Sequence, residues 1–150
     1  MKTSTTQSKT PRLSLQSESI AEDTRTIRSL DWERSRFDIE FGLRNGTTYN
    51  SFLIKGMKTA LIDTSHEKFK DIWLSLLKTQ INPQSIDFLI VSHTEPDHSG
   101  LIGYILDLNP KITIIASKVA IQFLESQVHR PFNSKPVKSG DSINLGINPS

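Results

Sequence analysis

The chain has 150 residues, 18 Lys and Arg against 16 Asp and Glu, a formal net charge of +2, and no Cys. That length suits one domain of ordinary size, and the near balance of charge gives no field that would draw nucleic acid or an anionic membrane. Without Cys there are no disulfides, thiolate metal sites, iron–sulfur clusters or Cys nucleophiles, so any metal here must be held by His, Asp and Glu.

No apolar run reaches the roughly 20 residues of a membrane span, and the N-terminus lacks the apolar core of a secretory signal. The expected location is the cytoplasm. Residues 1–17 are rich in Ser, Thr, Gln and Lys and contain no acid, a composition weakly like a transit peptide. Residues 1–27 are read as an unstructured tail, with order starting near Leu30 and the domain occupying 28–150.

Phe37, Ile39, Phe41 and Leu43 alternate, which predicts a half-buried strand, and Asn45 with Gly46 supplies the positive φ angles of a tight turn. A second strand is expected over 47–54, and a third over 59–63, ending on the Asp63 carboxylate. Thr64 and Glu67 have capping-box spacing and predict a helix start. Phe69, Ile72, Trp73, Leu76 and Leu77 then form one helical stripe, which Asn82 and Pro83 end. Residues 86–91 form a nearly continuous apolar run, expected to be a central strand buried on both faces.

A polar stretch at 92–100 precedes a helix through Leu101, Ile102, Ile105 and Leu106, stopped by Asn109 and Pro110. Residues 112–116 are strand-like, and Ser117 can cap a helix whose apolar side is Val119, Ala120, Phe123, Leu124 and Val128. The remainder is turn-rich, with a short strand expected at 142–145.

The chemistry concentrates directly after the run at 86–91, where His93, Glu95, Asp97 and His98 fall within six residues. In an extended stretch His93, Glu95 and Asp97 project to one side and Thr94 and Pro96 to the other, which would make a metal cradle. Pro96 restricts φ between two of the donors. The plainer alternative is a polar loop whose carboxylates are merely solvated, or whose His98 and Asp97 cap the next helix. His66 reads as a solvent-facing residue at a helix start, and His129 as a helix-end His near the last carbonyls.

The pattern His93, Glu95, Asp97, His98 after a buried strand resembles the metal motif of the metallo-β-lactamase superfamily, and Glu95, in place of the second His of the zinc hydrolases, resembles the flavodiiron branch. Residues 31–32, 37–49 and 91–100 are similar to cyanobacterial flavodiiron proteins of the diflavin flavoprotein type. The resemblance implies an α/β fold, the N-terminal portion of a metallo-β-lactamase-like αββα sandwich. It also implies two iron ions, with His93 and Glu95 on the first and Asp97 on the second, and His98 and Asp63 close behind as residues that orient ligands. For Asp63 a plain helix-entry role competes on physical grounds. The implied activity passes electrons from NAD(P)H through flavin to the irons, reducing oxygen to water, or nitric oxide. Exchanging imidazole for carboxylate agrees with this, since hard anionic donors favour ferric iron.

Two further His and a bridging Asp that the family uses are not found in the chain, nor are the flavodoxin domain that binds FMN and the flavin reductase module; no FMN-binding residue is assigned here. The expectation is a partial domain, inactive alone, whose second sheet is missing and whose uncovered apolar face invites association with itself or with a flavodiiron protein. A metal-dependent hydrolase of the same fold and a non-catalytic remnant that pairs with a full-length relative are the competing functions.

Overall fold

The structure, a computed structural model, describes residues 13–34, 36–37, 41–42 and 46–147. Its centre is a seven-stranded mixed sheet in the order β1 (Leu13–Ala21), β2 (Thr24–Asp31), β5 (Thr47–Lys55), β6 (Thr59–Ile62), β7 (Phe88–Ile90), β8 (Thr113–Ala116) and β9 (Asn133–Pro136). The first four strands pair antiparallel, and β6 to β9 pair parallel. Each parallel step needs a crossover, which α1 (Lys70–Gln80), α2 (Pro96–Ser99) with α3 (Ile102–Leu108), and α4 (Lys118–Val128) supply in turn. The short strands β3 (Arg36–Phe37) and β4 (Phe41–Gly42) form a separate antiparallel pair.

Alternation along the strands sorts side chains onto two faces. Ile27, Tyr49, Leu61, Leu89 and Ile114 share one face and join Trp73 and Leu77 of α1, Ile102 and Ile105 of α3, and Ile121 and Leu124 of α4 in one buried cluster. Phe52, Ile54, Ile62, Phe88 and Ile90 alternate with them and are half-buried. The predicted central strand, β7, therefore lies inside the sheet between β6 and β8, covered on the helix side and half-covered on the other, not buried on both faces as expected.

The expected elements over 47–54, 59–63, 101–108, 112–116 and 118–128 are present within a residue or two at their ends, while the helix expected to start at the Thr64 and Glu67 spacing begins as α1 only at Lys70. Several expectations are corrected. The tail does not extend to residue 27, because 13–21 and 24–31 form a hairpin whose second strand pairs along β5; residues 1–12 lie outside the described residues. Phe37 and Phe41 are register partners, so the chain reverses between them and does not run on as one strand; Ile39, Leu43 and Asn45 lie outside the described residues. Gly46 does have positive φ, +75°, and a side chain there would meet the backbone of Asp31 and Trp32.

The capping box is not formed. His66 caps a short 3-10 turn at Glu67–Phe69, accepting from the Lys68 amide, while Thr64 turns its hydroxyl elsewhere. In α4, Val119 and Phe123 are 75% and 46% exposed, and the buried stripe is Ile121 and Leu124, because the rotation set by the Ser117 cap points those two at the sheet. No strand forms at 142–145; β9 takes the edge position beside β8. Among the described residues no helix is long and apolar enough to cross a membrane.

Candidate metal centre

The loop after β7 leaves the sheet at the carboxyl ends of the parallel strands, where crossover connections place functional groups in open α/β sheets. Asp63 stands directly below it. Its φ of +59° is left-handed, a conformation Asp tolerates better than most residues. From there its carboxylate accepts the Ser92 amide at 2.8 Å, the Ser92 hydroxyl, and His98 Nδ1 at 3.1 Å. One buried carboxylate thus ties down both ends of the 93–97 loop, so the ligand-orienting role has a geometric basis that a plain helix-entry Asp would lack.

The expected three-ligand cradle is not what the loop makes. Pro96 occupies the first position of α2, where its fixed φ suits a helix, and the chain turns there. Alternation stops at Glu95, and Asp97 is carried inward to 6% exposure while His93 and Glu95 remain outside. Of the plainer alternative, the capping form is not made, since Glu95 and Leu101 hold the cap positions of α2 and α3 without side-chain cap bonds, whereas the exposure of His93 and Glu95 accords with its solvated form. Among the described residues no three His, Asp or Glu side chains converge as a group that could hold one metal ion.

The donors meet in pairs. His93 Nε2 is 3.5 Å from Glu95 Oε1, and His98 Nε2 is 3.5 Å from Asp97 Oδ2. Two ligands each about 2.1 Å from one ion at a tetrahedral angle would be about 3.4 Å apart, so each pair has the spacing of two donors to a common ion. The two imidazoles stack, with centroids 5.5 Å apart and planes inclined by 17°.

The rings are not equivalent. Asp63 accepts a hydrogen bond from His98 Nδ1–H, the tautomer in which an uncharged ring has its lone pair on Nε2, facing Asp97. In His93 the Glu95 amide donates to Nδ1 at 3.2 Å, so the neutral ring carries its proton on Nε2 and must give up that contact to present a lone pair there. Its 54% exposure leaves it room to turn. An open pocket of about 300 Å³ borders His93 and is walled by Ser92, Thr94, Ser117, Val119, Ala120 and Phe123, without Glu95 or Asp97.

A second polar cluster lies beneath the 64–68 segment. Asp31, 1% exposed at the end of β2, accepts from the Tyr49 hydroxyl at 2.9 Å and pairs with Lys68. Arg34 donates to the same hydroxyl at 2.8 Å. Burial pushes the Asp31 carboxyl up, but the hydrogen bonds from Lys68 and Tyr49 together outweigh it and hold the group below its ordinary range. Burial lifts the Tyr49 hydroxyl to about 12, Asp31 adding to the rise and Arg34 opposing it. His66 is not solvent-facing as expected: it is half-buried and stacks on Tyr49 at 6.3 Å, and burial, then Lys68 and Arg34, push its pKa down. His129 ends α4 in a left-handed conformation, as a helix-end residue.

Because folded Tyr49 keeps its proton where an unfolded chain would release it, its contribution is fully present below pH 10 and is lost as pH rises toward about 12. Urea midpoints measured from pH 9 upward should fall across that window in the parent. In Tyr49→Phe the fall should be shallower, on a lower starting stability.

A family model, ODP family beta lactamase, matches residues 47–148. The mixed sheet, its helix crossovers and the loop after β7 accordingly define a protein of the metallo-β-lactamase-like fold. A diflavin flavoprotein A 1 of Synechocystis is 64% identical over 135 residues, 90% of this chain and 24% of that protein. A metal-soaked Flv1 flavodiiron core from Synechocystis superposes with a TM-score of 0.83 at 35% identity, over 91% of this chain and 34% of that one. The rubredoxin oxygen:oxidoreductase of Desulfovibrio gigas gives 0.80 at 29% identity, over 87% and 33%. The chain belongs to the flavodiiron family, whose cofactors are two irons and FMN. It spans about a quarter of the length of the curated relatives it matches.

Proposed function

We propose that this chain carries part of the ligand set of a di-iron centre in an oxidoreductase that takes electrons from NAD(P)H through flavin and reduces oxygen to water. The observation that supports it best is the pairing of each imidazole with a carboxylate in one short loop. His93 and Glu95 would hold one iron. Asp97 would hold the second, and the lone pair that Asp63 leaves on His98 Nε2 suits that ring to join it as a ligand, beyond the orienting role expected from the sequence.

Hard carboxylate donors fit a metal that must pass through the ferric state, and iron bound there would supply the redox change that the reduction of a diatomic molecule requires. The protein's own contribution is to hold the donors: Asp63 fixes the His98 tautomer, and α2 keeps Asp97 away from bulk water. The name of the Desulfovibrio neighbour agrees with oxygen as acceptor. Nitric oxide is the other diatomic acceptor that the resemblance implies. Each pair needs further ligands from outside these residues, so activity is expected only in association with them, in a homo- or hetero-oligomer or a longer chain, and in the cytoplasm.

Anaerobic loading with ferrous iron followed by metal analysis and visible spectroscopy tests this reading. Iron retained over added zinc, with a ferric absorption that bleaches on reduction, is the expected result. Zinc retained in its place, with no redox response, would favour a hydrolase of the same fold.

A further inference from the structure

We propose that Thr64 is a positioning residue for the Asp97 and His98 pair, acting through the backbone carbonyl of His98. The inference rests on the reading above that this pair binds metal, and extends it to a residue outside the loop whose amide and hydroxyl bond the backbone carbonyl of His98.

Thr64 is fully buried, and each of its polar groups is committed. Its amide donates to the His98 carbonyl at 2.8 Å and its hydroxyl donates to the same oxygen at 2.7 Å. The hydroxyl oxygen in turn accepts the Leu101 amide at 3.2 Å. The helical turn Pro96–Ser99 is therefore gripped at its end by one residue of the opposite segment, through its amide and its hydroxyl together. The backbone bonds of the turn, from the His98 and Ser99 amides to the Glu95 carbonyl and from Gly100 to Pro96, close a single turn, and a single turn is too short to fix its own direction, so bonds from outside set where its side chains point.

The grip is itself anchored in the core. The Thr64 carbonyl accepts the Ser51 hydroxyl at 2.8 Å, and Ser51 accepts the indole N–H of the fully buried Trp73 at 3.2 Å. The two segments also pack closely: a side-chain carbon at Gly100 would stand 2.7 Å from the Ser65 carbonyl oxygen and 2.9 Å from the Glu67 amide. Asp63 orients the His98 ring, while Thr64 fixes the backbone from which that ring and Asp97 project. The Thr64 hydroxyl is free for this because the capping role suggested by its spacing to Glu67 is filled by His66.

The test compares Thr64→Val, which keeps the shape and loses the hydroxyl, with Thr64→Ser, which keeps it. In the metal-free full chain, amide hydrogen exchange of Ser99, Gly100 and Leu101 is expected to speed up at least tenfold in Thr64→Val, with Leu89 and Ile114 in the sheet unchanged. Cobalt(II) affinity is expected to fall about tenfold, and Thr64→Ser should restore both values. A merely structural role would accelerate sheet and turn amides alike and leave affinity per folded molecule unchanged. That result, or parent-like exchange in a folded Thr64→Val chain, overturns the proposal. If Thr64→Val does not fold, Thr64→Ala carries the same comparison. A parent chain that binds no cobalt(II) would defeat the metal reading instead, and the exchange data alone would then decide whether Thr64 holds the turn.

Discussion

An Asp63→Ala chain is expected to be about 3 kcal/mol less stable than the parent in urea unfolding, with cobalt(II) bound roughly 10-fold or more weakly. Three donors converge on this carboxylate, and bonds to a charged acceptor contribute about 1.5–3 kcal/mol each when buried, less here because Ser92 is exposed. Ala also has no side-chain group to ease the +59° φ, which adds on the order of 1 kcal/mol. Asp63→Asn separates the causes: it keeps the size and the tolerance for left-handed backbone but removes the charge and turns half of the group into a donor. Its loss should be about half as large in stability, with the metal affinity falling nearly as far, because His98 Nδ1 then loses its charged partner. Equal stability in all three chains would mean that the Asp63 contacts contribute nothing net.

Asp31→Ala should cost about 2–3 kcal/mol. It strands the hydroxyl proton of buried Tyr49, which is donated to Asp31, and takes from Lys68 the carboxylate it pairs with. The figure is at the low end for a broken buried pair because Lys68 is 36% exposed and partly solvated. The pH dependence has a definite sign. The folded carboxyl is held below its ordinary value of 3.8, so its contribution is fully present above that value and is lost as pH falls through the lower, folded one. Urea midpoints between pH 5 and pH 2 should fall more steeply in the parent than in Asp31→Asn, and parallel profiles would contradict the assignment.

The two halves of the chain differed in how much the residues gave away. From residue 47 onward, hydrophobic period announced each buried element, because helices and strands that cover one core must repeat apolar residues at 3.6 or 2 positions. The hairpin of β1 and β2 escaped for a physical reason: its inward positions include Ser29 and Asp31, which bond to Ser65, Tyr49 and Lys68 and so need no apolar side chain. β9 is exposed along its whole length and owes its place to backbone pairing with β8, which no side-chain pattern records.

At the proposed site, the grouping of His93, Glu95, Asp97 and His98 was legible from type and spacing, and Asp63 was singled out by resemblance alone. The shape of the loop was not legible, because Pro96 can serve either an extended stretch or the first turn of a helix, and only packing against residues 64–67 decides between them. The cluster of Asp31, Tyr49, Lys68 and Arg34 joins residues far apart in the chain, and Thr64 carried a signal that pointed to a different role, the capping box.

The most direct measurement is a cobalt(II) titration of the whole chain followed by NMR of its four imidazoles. The His98 and His93 ring signals should shift or broaden together with the Asp97 and Glu95 carboxylates, while His66 and His129 stay in place. Paramagnetic effects centred on His66 or His129, or none at any of the four rings, would show that the loop after β7 does not bind metal.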